Sequence, residues 1–92
     1  MNAVWKFPIP LEDVFEIEMP RVSKPLSVQV QKGIVQIWAL VTPGRDIVKR
    51  RFYLCGTGHP REDIPRSLNF VGTFQLGQGN LVFHLFDGGE IE

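Results

Sequence analysis

Ninety-two residues provide for one domain, residues 1–92, with a single modest core and no room for a second. Ten Lys plus Arg balance ten Asp plus Glu, so the chain has no cationic field to hold a nucleic-acid backbone by counterion release, and a DNA or RNA polymer is not an expected partner. The lone Cys55 cannot close an internal disulfide and suits a reducing compartment. The segment MNAVWKFPIP lacks the apolar stretch of a secretory signal, and no run approaches the ~18 apolar residues of a membrane span, so a cytoplasmic protein with no membrane partner is expected.

Nine glycines and seven prolines interrupt the chain so often that no long helix-period segment survives between them. The segments between are short and rich in Val, Ile, Phe and Trp, which predicts strands. Val4 to Phe7 is the first, with Trp5 and Phe7 on one face and Pro8 ending its pairing. Phe15, Ile17 and Met19 alternate with Glu16 and Glu18, the spacing of a strand with one wet face. Leu26, Val28 and Val30 alternate with Ser27, Gln29 and Gln31, and Lys32-Gly33 then turns a hairpin into Ile34 to Val41. That next segment, IVQIWALV, is apolar on both sides, which predicts a central strand covered on two faces with Trp38 in the interior.

After the turn at Thr42 to Asp46, the strand Ile47 to Cys55 places Val48, Arg50, Phe52 and Leu54 on one face and Ile47, Lys49, Arg51, Tyr53 and Cys55 on the other. Arg61 to Leu68, with Pro65 in its middle, is limited to one short helical turn. Phe70 to Leu76 and Leu81 to Phe86 form a second hairpin across Gly77-Gln78-Gly79-Asn80, and the tail DGGEIE reads as frayed. In the last strand Val82 and Phe86 flank His84 on the side opposite Leu81, Phe83 and Leu85. With little solvated surface left, that strand calls for a covering partner, so a homo-oligomer is expected. The fold class is all-β: a small antiparallel barrel, the preferred form, or a two-layer sandwich of about seven short strands.

The chemistry-bearing residues cluster around KRRFYLCGTGHPRED, residues 49–63. Gly56, Thr57, Gly58 and His59 follow a cationic, aromatic strand. Alternate glycines allow successive N–H groups to converge as an anion nest, with the Thr57 hydroxyl and the exposed His59 ring as further donors. A tight turn is the competing reading; no P-loop or dinucleotide fingerprint is present. Arg50 and Arg51 point to opposite faces, so one of them lines any given pocket. Arg51 is favoured because it shares a face with Tyr53, which suits a phosphate beside a stacked base. Trp5, near the terminus and followed by Lys6, is the best exposed stacking candidate, and His84 reads as a satisfied core histidine. One Cys and two His lack the paired spacing of a zinc site, and no cofactor is implied. A nucleotide-cleaving enzyme built on Cys55 with His59, or on Glu16 with Glu18, ranks third, because nothing in the sequence marks an orienting group.

Taken as a set, VWKFPIP, FEIEMP, LSVQVQ, WALV, CGTGHP, VGTFQL and LVFHLF resemble a family of short, uncharacterised phage and bacterial proteins. The resemblance spans nearly the whole chain and implies kinship of fold and a phage setting, hence the host cytosol during infection. It assigns no reaction. Cys55 stands where the resemblance leads one to expect a tyrosine or another large residue, so it assigns the thiol no role. By analogy with small phage counter-defence factors, the leading expectation is a non-enzymatic "sponge" that sequesters an ADP-ribose-like or cyclic nucleotide. A module that inhibits a host or phage protein by docking on it, through the apolar last hairpin or the arm Trp5 to Pro10, is the runner-up.

Overall fold

The computed structural model describes residues 1–91. Its seven strands are β1 (Ala3–Pro8), β2 (Val14–Pro20), β3 (Lys24–Gln31), β4 (Ile34–Val41), β5 (Ile47–Gly56), β6 (Asn69–Leu76) and β7 (Leu81–Ile91). No helix forms among the described residues, and at 61–68 the chain makes only bends and turns. The fold is all-β, as the short Val-, Ile- and Phe-rich segments require.

β1-β4-β3 make a three-stranded sheet and β2-β5-β7-β6 a four-stranded one, antiparallel throughout. The two sheets do not close into a barrel, so of the two expected architectures the sandwich is the one formed. They come closest at one seam, where β6 leans on β3: a Cβ on Gly72 would stand 3.0 Å from Val28 Cγ1 and 3.6 Å from its amide nitrogen. A side chain at 72 would push the sheets apart there.

The inward faces meet in a core of Phe15, Met19, Val28, Ile37, Phe52 and Leu85 with their neighbours. Phe15 and Phe52 stack at 5.6 Å between ring centres. Fully burying side chains of this size is worth about 1.5–3 kcal/mol each. Lys32 and Gly33, with φ of 52° and 79°, supply the two left-handed residues of the tight turn expected between β3 and β4.

Three expectations need correction. β4 is the central strand of its sheet, but only one of its faces is covered by the other sheet. Trp38 lies on the opposite, outward side, half-buried, with Lys6 Nζ 5.9 Å from the centre of its ring. A run that is apolar on both faces therefore served a sheet with one covered face, the remaining side being shielded by long neighbours such as Lys6. The tail is also not frayed through residue 91. Asp87 to Ile91 continue β7 past a bulge, with Arg50 facing Glu90 and Lys49 facing Ile91. Asp87 is buried against Arg50 and Glu90 lies near Arg21, so distant cations fix residues that read locally as a turn. Glu92 lies outside the described residues.

Candidate functional site

Strand alternation decides which β5 side chains can cooperate. Arg51, Tyr53 and Cys55 point outward from the four-stranded sheet, while Arg50, Phe52 and Leu54 point into the sandwich. On the outer face the cross-strand register is Val14 to Tyr53, Tyr53 to Phe86, and Phe86 to Phe70. One row of three aromatics and a valine thus crosses the whole sheet, about 14 Å at the usual strand spacing. The Phe70 and Phe86 rings meet edge to face at 5.6 Å, and Phe70 remains 60% exposed. Tyr53 is held down on its strand because β7 offers Gly88 beside it: a Cβ there would stand 2.9 Å from the tyrosine ring.

Polar rows flank this stripe. On one side Cys55, His84 and Thr73 are in register. His84 Nε2 lies 2.6 Å from the Thr57 hydroxyl and Nδ1 lies 2.9 Å from the Thr73 hydroxyl. Both ring nitrogens are partnered, as expected of a satisfied histidine, although the ring sits on the outer face and not in the core. On the other side Arg51 Nη2 donates to Glu16 at 3.0 Å. Glu16 first, and Tyr53 second, push the Arg51 guanidinium further above its usual value, which keeps it charged.

The loop after β5 is built mainly by its own hydrogen bonds. The Thr57 amide donates to Val82 O at 3.0 Å and the His59 amide to Gly56 O at 3.2 Å, while Gly58 takes a φ of 81°. The His59 ring folds back over Gly56, where a Cβ would meet Nδ1 at 2.8 Å. Two of the amides expected to converge on an anion are thereby spent on main-chain carbonyls. The hollow beside this loop, bordered by Gly56, Thr57, His59 and Asn80 to Phe83, holds ≈ 160 Å³. Pockets for drug-sized ligands begin near ~300 Å³. Cys55 Sγ faces the carbonyls of Gly56 and His59, at 3.6 and 3.9 Å.

The predicted site residues therefore fall into three places. Arg51, Tyr53, Gly56 and Thr57 run along one edge-to-loop line on the outer face or its end, with Gly58 and His59 beyond them. Trp5, 41% exposed, and Lys6 sit on β1 in the other sheet and do not join them. Arg50 is inside, donating from Nε and Nη2 to the two oxygens of Asp87 at 2.9 Å each. That pair floors a larger hollow of ≈ 350 Å³ where the β2–β3 corner, the start of β6 and the sheet interior meet.

Val14 was not among the sequence-derived candidates, and Phe70 and Phe86 entered only as the ends of the apolar last hairpin. The alternation in β6 and β7 shows which way each points, but aligning them with Tyr53 requires the pairing of β5 with β7, which local pattern does not supply. Arg61 was likewise missed. Its guanidinium donates to Leu54 O at 2.6 Å and through Nε and Nη2 to Asp63, both at 2.7 Å, clipping residues 57–68 to the end of β5. Among the described residues no group of three or more His, Cys, Asp or Glu is placed to hold a metal, and no helix is long and apolar enough to cross a membrane.

Fold and face together define an open antiparallel β-sandwich with an aromatic row across its four-stranded sheet. The chain belongs to the family described as a domain of unknown function, DUF7352, whose model matches residues 1–91. No curated protein and no solved structure matches it.

Proposed function

We propose that this protein is a non-catalytic binding module that docks on a second protein through the outer face of its four-stranded sheet. The observation that carries this reading is the row Val14, Tyr53, Phe86, Phe70, aligned in register on the outer face with its two ends exposed and its middle half-buried. Half-exposed aromatics at the centre of the sheet, an exposed one on its edge strand and paired charges such as Glu16–Arg51 beside them resemble the anatomy of protein interfaces. Net neutrality favours close approach of another protein over a polyanion. A photo-crosslinking residue at 70 tests the reading in infected or expressing cells. The expected result is one discrete adduct that Phe86→Glu abolishes and Val4→Glu, on the other sheet, leaves intact. Equal crosslinking in both variants refutes docking at this face. If the adduct joins two copies and solution mass doubles, homo-oligomerisation is the form that docking takes.

A second reading is favoured by one observation, the placement of Arg51 beside Tyr53 on the same face. A base stacked on the aromatic row would bring its phosphate to that guanidinium. Sequestration of an ADP-ribose-like or cyclic nucleotide by a phage counter-defence protein belongs to this reading. It requires such ligands to raise the melting temperature and Arg51→Ala to remove the rise. A flat response across the panel leaves protein docking alone.

A further inference from the structure

The larger of the two hollows described above lies at the corner between the sheets, with Phe70, the end of the aromatic row, on its wall, and it has the make-up of a small-molecule site. Its walls are apolar: Val22, Pro25, Phe70 and Val71. Its floor is a buried charge pair, Arg50 on Asp87, whose side chains are 14% and 5% exposed. Two of the three guanidinium nitrogens are spent on that carboxylate. The third, Nη1, is 3.8 Å from Glu90 Oε2, which is charge contact without a hydrogen bond. Lys24 stands at the rim.

The corner is also held in a costly backbone shape. Val22 has a φ of 62°, a left-handed conformation that a β-branched residue avoids, and the Glu90 carboxylate fixes it by accepting the Val22 N–H. Ser23 is buried next to it with its hydroxyl donating to Pro20 O. Strain of this kind persists where the surroundings over-determine it, and it concentrates at ligand clamps.

We propose that this corner hollow binds a small amphiphilic monocarboxylate, the carboxylate held between Arg50 Nη1 and Lys24 and the apolar body against Pro25, Phe70 and Val71. Charge sets the class. Of the residues that line the cavity Arg50 and Lys24 are cations and Asp87 is an anion, while Arg21 and Glu90 lie beside each other outside the lining, so one negative charge is matched and a phosphate dianion is not. Volume sets the size: ≈ 350 Å³ is near the lower end of ligand pockets and suits a single ring with a short arm.

Titrating the intact chain with benzoate, while following backbone amide resonances, tests this directly. Saturable shifts at Lys24, Asn69 and Val71 are expected, with a Kd of about 1 mM, the affinity of one ion pair and one buried ring. Benzyl alcohol, which keeps the ring and removes the charge, should bind about tenfold more weakly. Lys24→Ala should weaken benzoate several-fold and leave benzyl alcohol unchanged; being exposed, it does not threaten the fold. Val71→Trp, which fills the cavity, should abolish both. Non-saturating shifts, equal affinity for benzoate and benzyl alcohol, or the same shifts with inorganic phosphate would each overturn the assignment.

Discussion

Arg50 and Arg51 are consecutive residues in opposite worlds. Arg50 enters the sandwich, grips Asp87 through two bonds and floors the corner hollow; Arg51 lies on the outer face, meets Glu16 through one bond and is 42% exposed. One residue of strand period separates a structural charge from a surface one. Ion pairs therefore cannot be valued from composition: burial turns the same chemistry from a marginal contact into a requirement.

Arg50→Ala breaks this contrast most severely. It strands the Asp87 carboxylate in the interior and is expected to cost about 3–5 kcal/mol, read from urea midpoints. Replacing both partners, Arg50→Met with Asp87→Leu, should recover much of the loss, and failure to do so would mean the pair contributes more than mutual neutralisation. Next comes Gly88→Ala on the outer face. The new methyl would meet the Tyr53 ring at 2.9 Å and Arg51 O at 3.2 Å, so a loss of about 1–3 kcal/mol is expected, together with altered Tyr53 fluorescence. Arg51→Ala should leave the midpoint unchanged within error, since its partner is solvated.

The smallest effect is electrostatic and local. Donors from Arg61 hold the Asp63 carboxyl below the ordinary aspartate value, with desolvation opposing. Because the folded value is the lower one, the stabilisation is full above the ordinary aspartate range and disappears as pH falls through the depressed value. Carboxyl carbon titration should find Asp63 protonating at lower pH than in a peptide of residues 57–68, and Arg61→Gln should bring the two together.

Local features were legible in the sequence because they depend on local rules. Alternation placed Phe15 and Met19 inside and Glu16 and Glu18 outside, and Lys32-Gly33 announced its turn. What escaped depended on partners far along the chain. The Thr57 amide is spent on Val82, 25 residues away, so a glycine-rich loop that reads as a nest is a turn docked on another strand. Asp87-Gly88-Gly89-Glu90 has the composition of a loose end, yet Arg50 and Arg21 hold it in β7. Trp38 looked interior because its neighbours are apolar on both sides, but only pairing and layering decide which side is covered. The aromatic row is the plainest case: its four members come from four strands, and no stretch of sequence contains more than one of them.

The seam at Gly72 has an architectural consequence. With β6 resting on Val28 by contact alone, the two sheets are joined like a hem left unsewn, and the corner cavity is the gap at the end of that hem. Stitching β3 to β6 by a regular ladder would turn the sandwich into a closed cylinder and draw the gap shut. The bare glycine lets the layers nestle at the seam, and the opening begins only where that contact ends.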